Sequence, residues 1–584
     1  LADLIDKSTI VNEDGILKVK MLDGQDVTIA EINHLKGLTM NVMDLVNSFA
    51  NGGVKVLNTP VATYADLTTL DRSAFIEDIS YIVYVLADEN HSGAKTTYLL
   101  DKTSTTFFGN ADSQRDFTTN PIEYRDYSMK GRFIKLFKTQ QNPNAITEGV
   151  IWKQLLIFFF PILFGTFFQQ LYNTVDAIIV GRYLGKEALA AVGGGTGFII
   201  NLLVGFFMGL SSGATVITSQ YFGAKKHKEV SLSVHTAFAL SIVGGLVITI
   251  LGYFSTPALL KLLKTPADIF DLSEKYIKIY FLGIIPSIVY NMGAGILRAI
   301  GDSRRPFYYL IVGTFVNIIL DFVFIAIFKM GVEGAAFATI IAQVVTMILV
   351  MNNLSRSEES YKLSIKKIGF TGSILSKILK IGFPTGLESV MYTISNLIIQ
   401  ANINSFGTDT AAAWAAFGKV DALFWMSISS FGIAITTFAG QNFGAKKISR
   451  IKQSAKQGLL ITTTFTIILV IGVCVFANFL FSLFTDDQQV ILIGAEVLLF
   501  IAPTYITFIP IEIFSGIIRG CGKTLIPTIL TGGGVCLFRI VWLTTVVQKF
   551  HTIQMVCASY PISWIITSFL FLAYYFYLAK KDFK

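Results

Sequence analysis

Two hydrophobic patterns divide the chain. Up to about residue 128 apolar positions come in short, mixed runs; after Met129 they come in blocks of membrane-spanning length separated by short polar loops. In the first part, "AEINHLKGLTMNVMDLVNSFANGG" has the spacing of an amphipathic helix stopped at Gly52 and Gly53. "SYIVYVLADENHSGAKTTYLLD" predicts a strand, a turn and a second strand, because β-branched and aromatic runs flank turn formers between Asn90 and Gly93. Residues 1–128 therefore read as a small soluble α+β module.

Beyond Met129, twelve apolar stretches centre near residues 165, 203, 242, 287, 317, 343, 392, 425, 465, 503, 535 and 566. Each is close to the ~20 residues that a helix needs to cross ~30 Å of hydrocarbon. The loops at 223–229, 301–306, 354–380, 444–452 and 519–523 hold most of the Lys and Arg, whereas those near 330, 407 and 486 hold almost none. By the positive-inside rule both ends of the membrane part and the 354–373 linker are expected in the cytoplasm. An internal repeat runs through these spans. "SQYFGAKK" at 219–226 recurs as "GQNFGAKK" at 440–447, and "LRAIGDSRRP" at 297–306 as "IRGCGKTLIP" at 518–527, both 221 residues later. "FFPILFG" and "GFPTGLE" follow at a spacing of 223. Each half has an even number of spans, so the repeats share one membrane sense and leave a cleft suited to alternating access. The predicted architecture is an all-α polytopic membrane protein of twelve transmembrane helices in two six-helix bundles. They comprise a first lobe at 129–353, a cytoplasmic linker at 354–373 and a second lobe at 374–584, preceded by the α+β module.

Composition agrees: 53% of residues are hydrophobic and 15% charged. Residues 1–128 carry 10 Lys/Arg against 19 Asp/Glu, and the remainder 37 against 20. The basic excess lies in short loops, as on a cytoplasmic membrane face, and does not point to nucleic acid. Cys474, Cys521, Cys536 and Cys557 lack CxxC spacing and read as buried thiols. The first residues show no basic stretch before an apolar run, so no signal peptide is expected. No nucleophile, metal cluster or cofactor loop emerges, so the chain is not expected to be an enzyme. "GCGKT" at 520–524 has Ile517 where a phosphate loop needs glycine, and no strand precedes it. "GGGTG" and "TGGGV" lie inside spans, where small residues let helices approach or bend.

The chemistry lies in polar residues at membrane depth. Asp176 interrupts "LYNTVDAIIVGRYLG", although a carboxylate at a helix centre costs about 2.5–3.5 kcal/mol on insertion scales. Counted at ~1.5 Å per residue, Asp176, Asp321 and Thr339 all fall ~9–12 Å below the outer surface, with Asn317 one turn from Asp321. Two carboxylates, an amide and a hydroxyl at one depth suit a small alkali cation such as Na+, or a shared proton. Polar contacts that merely join helices average about 0.6 kcal/mol, a poor reason to keep two acids. Pro161, in the span of Asp176, permits a bend. In the second half Ile399 stands where the repeat would place Asp176. Glu388 and Glu512 fall instead ~10–12 Å from the cytoplasmic end, and Arg539 is buried in the eleventh span. Those acids either serve substrate or ion, or form an ion pair with Arg539 or Arg519 that holds the lobe together.

The two six-helix repeats, "LYNTVDAIIVGRYLGKEALAAVG" in the first span, "FGAKK" after the second and eighth and "NIILD" in the fifth together resemble the multidrug and toxic compound extrusion (MATE) family over residues 145–580. "GLESVMYTISNLIIQANINSFG" resembles its bacterial branch of DNA-damage-inducible efflux proteins. The resemblance implies a monomeric inner-membrane antiporter that exports drugs or organic cations in exchange for Na+ or H+, with no cofactor. It implies that the positions of Asp176, Asn317, Asp321 and Thr339 form the coupling site of the first lobe, and that a bend at Pro161 is linked to ion binding. A lipid-linked oligosaccharide flippase of the same superfamily is the alternative. Residues 1–128 resemble modules of bacteriophage baseplate and tail-appendage proteins, through "VATYADLTTLD", "YIVYVLADE" and "RDFTTNPI". A phage structural or adhesion role would fit that module alone, and a chimeric reading frame would explain its place beside a transporter.

Overall fold

The computed structural model describes residues 145–581 and, before them, eight β-strands. The chain divides into two units, Leu1–Leu136 and Phe137–Lys584. In the first, β1 (Ile5–Glu13), β2 (Ile16–Met21) and β3 (Asp26–Thr28) form an antiparallel sheet in that order. A second sheet contains β4 (Val54–Val56), β5 (Val61–Thr63), β6 (Ser80–Asp88), β7 (Ala94–Leu100) and β8 (Thr105–Asn110). Both β4 and β5 run parallel to β6, whereas β6, β7 and β8 form an antiparallel meander with Tyr84 opposite Thr97. The predicted strand pair is β6–β7. The amphipathic helix predicted before Gly52 lies outside the described residues.

The second unit is helical. Its first lobe contains α1 (Ile151–Leu184), α2 (Gly195–Gly223), α3 (His227–Leu262), α4 (Ala267–Leu282 with Ile284–Ala299), α5 (Arg304–Ile327) and α6 (Val332–Arg356). The second contains α7 (Gly372–Asn404), α8 (Thr408–Gly444), α9 (Ile448–Val475), α10 (Gln488–Gly520), α11 (Leu525–Phe550) and α12 (Ile553–Lys581). Among the described residues ten of these are individually long and apolar enough to span a membrane, and α4 qualifies as a pair bent by 50°. The twelfth, α7, has 33 residues but is diluted by Lys377, Lys380 and Glu388. The bend in α4 has a local cause: Pro286 cannot donate to the carbonyl of Leu282, and its ring crowds that turn. "GGGTG" also does more than ease packing. At Gly194 the chain breaks between the short helix Lys186–Gly193 and α2. Phe254, Leu262, Leu460 and Phe569 are among many large apolar side chains exposed on the outside, as expected of a lipid-facing surface.

The lobes exchange the first halves of α1 and α7. Ile151, Leu155, Phe158, Phe159 and Ile162 at the start of α1 belong to the core of the second lobe, where Phe159 stacks on Phe431 at 3.7 Å. Beyond Leu163 the same helix returns to its own lobe, and Ile179 and Val180 join the first-lobe core. Reciprocally, Ile374, Ile378 and Ile381 of α7 pack into the first lobe, whereas Ile399 and Ile403, beyond Pro384, pack into the second. The crossing is close because α2 carries glycine every fourth residue at 205, 209 and 213, facing Ser389, Gly386 and Gly382 of α7 in turn. A Cβ at Gly209 or Gly213 would strike the α7 backbone.

Candidate functional site

Inside the first lobe, α1, α5 and α6 bring the four polar residues into its interior. Asp176, Asn317, Asp321 and Thr339 are 7%, 1%, 0% and 4% exposed. Asn317 and Asp321 share a face of α5, which changes to a π-helical turn at Phe322–Ile327, immediately after Asp321. Among the described residues no hydrogen-bond partner exists for Asp176 Oδ1, for either carboxylate oxygen of Asp321, or for Oδ1 and Nδ2 of Asn317. Each such orphaned atom costs about 1–3 kcal/mol, so five at one place require a compensating species. A proton on either carboxyl would supply a donor, and a small cation would take several of the oxygens at once. The two carboxylates lie within electrostatic reach of one another and of Tyr172 and Tyr276. Those phenols escape a search restricted to charged residues, although Tyr172 stands one helical turn before Asp176.

A cavity of about 740 Å³ lies between the lobes. Its charged wall belongs to the second lobe. Glu388 accepts a hydrogen bond from Arg519 at 2.8 Å, so of the two arginines considered from the sequence its partner is Arg519. Glu512 lies on the same wall, its carboxylate against Gly432. Arg539 instead donates through Nε to Ser563 Oγ at 3.1 Å, and its guanidinium stands 4.0 Å over the ring of Tyr560. Asp421, on α8, was not expected: it accepts from the Tyr505 hydroxyl and from Trp425 Nε1 at 2.8 Å. The rule that flags Asp176, an acid at membrane depth, also applies to Asp421; depth matching to the first lobe alone does not reach it. The first lobe adds one charge, Arg298. The wall thus carries three acids and three arginines, with Tyr392, Trp414, Trp425 and Tyr560 between them.

The end of the molecule bearing the basic loops is closed by a matched pair of bonds. Gln220 Nε2 donates to the carbonyl of Gly520, and Gln441 Nε2 to that of Ala299, both at 2.7 Å. Donors and acceptors are each 221 residues apart, so one repeat position latches onto the other lobe twice. Gly223 and Gly444 let the backbones meet there; a Cβ at either would strike the partner glutamine's main chain. Arg450 and Lys447 hold the segment before α1 by donating to the carbonyls of Ile146, Thr147 and Gly149. The cavity extends the other way, to Phe198, Gln400 and Trp414 near the opposite helix ends.

A sequence model of the MatE family matches residues 161–323 and 384–544, one segment in each lobe. The chain is 27% identical over 462 residues to "Probable multidrug resistance protein YoeA" of Bacillus subtilis, covering 76% of this chain and 98% of that protein. It is 27% identical over 404 residues to "Probable multidrug resistance protein NorM" of Thermotoga maritima, covering 68% of this chain and 85% of that protein. Among solved structures, a MOP superfamily transporter of Pyrococcus furiosus, described as having a binding pocket of reverse polarity, superimposes with a TM-score of 0.71. It is 22% identical, and the match covers 76% of this chain and all of that one. A structure described as MATE in the straight conformation gives a TM-score of 0.70 at 22% identity, covering 76% of this chain and 99% of that one.

Proposed function

The chain belongs to the MATE family of multi-pass membrane transporters, and from that premise we propose that it is a secondary active multidrug efflux antiporter. It exports lipophilic or cationic compounds in exchange for Na+ or H+, by rocking its two lobes about the central cavity. The observation that carries this reading is the set of orphaned oxygens on Asp176, Asn317 and Asp321, which a proton or a small cation would complete. Thr339, buried on α6, is proposed to add a hydroxyl oxygen to this set. The cycle follows from electrostatics: an unloaded pair of buried carboxylates repels itself, and loading removes that repulsion. Because α1 is anchored in the second-lobe core before Pro161 and carries Asp176 after it, loading acts on the helix that joins the lobes. With the basic loops in the cytoplasm, the paired glutamines shut the cytoplasmic end and the cavity faces outward. The protein then resides in a bacterial plasma membrane, acts as a monomer and needs no cofactor. A flippase for an anionic lipid-linked sugar would favour a cationic cavity, whereas the wall here balances three acids with three arginines.

The decisive measurement is ethidium movement in proteoliposomes, with Na+ and pH gradients imposed separately. One gradient is expected to drive export; no movement under either overturns antiport. Residues 1–128 are proposed to be a separate module. A chain starting at Met129 is expected to insert and confer drug resistance, and loss of insertion would assign the module to the transporter.

A further inference from the structure

Arg298 and Arg519 occupy the same position of the repeat, on α4 and α10, and both face the cavity between the lobes. Their surroundings differ. Arg519 is neutralised by Glu388 at 2.8 Å, with Glu512 on the same wall. The first lobe has lost both counterparts: the repeat places Gly165 where the second lobe has Glu388, and Asn291 where it has Glu512. Among the described residues Arg298 forms no ion pair, and its buried Nε has no hydrogen-bond partner. A second orphan stands close by. Thr437 on α8 also lines the cavity, is 1% exposed, and its hydroxyl has no partner among the described residues. The bond from Gln441 to the carbonyl of Ala299 ties their two helices together, one turn from Thr437 and next to Arg298. Both sit at the floor of the cavity, just inside the latch.

A guanidinium with an unpaired N–H and an unused hydroxyl lining one cavity form a donor set for a planar anion. The acids and rings of the opposite wall suit the other half of an amphoteric molecule: Glu512 takes a cation, and Tyr392, Trp425 and Tyr560 take its aromatic body. We propose that Arg298, with Thr437, is an anion-accepting subsite, and that the transporter selects aromatic cations that also carry a carboxylate. This rests on the efflux reading above and narrows its substrate class.

The test uses the purified full chain and two rhodamine dyes with one xanthene body, the ethyl ester (a cation) and its free acid (a zwitterion). Binding is read by fluorescence anisotropy, and export of each dye is followed in proteoliposomes. Wild type is expected to bind the acid at least as tightly as the ester. Arg298→Gln is expected to weaken the acid about tenfold or more and the ester less than about threefold, since a charge-assisted hydrogen bond is lost only with the carboxylate. Arg298→Lys should retain most of the preference, which also shows that the fold tolerates change there, and Thr437→Val should weaken the acid severalfold. If Arg298→Gln weakens both dyes equally, or neither, the subsite is wrong. If wild type exports the ester while the Arg298 variants keep the acid-to-ester ratio, this inference falls and the efflux reading stands. If wild type neither binds nor exports either dye, both fall.

Discussion

In the first lobe the acids lie inside the six-helix bundle, where Asp176 and Asp321 are buried and have carboxylate oxygens without partners. In the second they lie on the cavity wall, where Glu388 and Asp421 are held by Arg519, Tyr505 and Trp425. The repeat makes the exchange exact in position. Ile399 stands for Asp176, Phe538 for Asn317, Trp542 for Asp321 and Tyr560 for Thr339. One copy of the bundle keeps hard oxygens at these positions, and the other has aromatic and aliphatic side chains there, two of which, Ile399 and Tyr560, line the cavity. Under the antiport proposed above, the difference is a division of labour: the interior of the first lobe takes the ion and the cavity wall takes the substrate.

The sharpest way to break this comparison is to neutralise acids one lobe at a time. Asp176→Asn or Asp321→Asn is expected to abolish gradient-driven efflux while dye binding and membrane insertion persist. Glu512→Gln or Asp421→Asn is expected to alter dye affinity and selectivity while efflux remains gradient-driven. Anisotropy and proteoliposome flux on the same preparations decide it. Wild-type transport by Asp176→Asn, or complete uncoupling by Glu512→Gln, would end the division.

A smaller effect concerns the two arginines of the repeat. Removing one partner of a buried pair leaves an uncompensated charge, so Glu388→Gln and Arg519→Gln are each expected to destabilise by on the order of 3 kcal/mol. The double variant should recover most of that loss. Arg298→Gln removes no ion pair among the described residues and is expected to melt close to wild type. Thermal unfolding of the four purified variants reads this directly. Additive losses in the double variant would mean that Glu388 and Arg519 do not act as a pair.

The smallest expected effect distinguishes the two prolines. Pro161→Ala restores an N–H and relieves a clash, favouring a straight α1 by a few kcal/mol at most. Even ~1.4 kcal/mol moves a two-state equilibrium tenfold, so efflux should fall severalfold with dye binding retained. Pro384→Ala changes the matching helix, but that helix has Ile399 where the first lobe has Asp176, so its effect on ion-driven flux should be weaker. Equal effects would mean that both bends are parts of the rocking motion rather than of coupling.

Span positions, the repeat and the burial of the candidates Asp176, Asn317, Asp321 and Thr339 were legible because hydrocarbon imposes long apolar runs and makes each buried acid conspicuous. The β6–β7 pair was legible for a similar reason, a strong local pattern around a turn. Local pattern also explains the breaks at Gly194 and before Pro286, although only the latter follows from a single forbidden hydrogen bond. What no linear pattern contains is which helices exchange partners. That the start of α1 belongs to the second lobe, that Glu388 chooses Arg519 over Arg539, and that Gln220 and Gln441 latch the opposite lobe depend on contacts between residues hundreds of positions apart. Asp421 and Arg298 show the same limit. The sequence marks Asp421 as a charge at membrane depth and Arg298 as a charge at the end of its span, and only the packing of α4, α8 and α10 around one cavity decides that Asp421 is hydrogen-bonded and that Arg298 has no ion pair among the described residues. Solvent decides where charge is permitted, and that is written along the chain; partnership between charges is decided by distance, which exists only once the helices have packed.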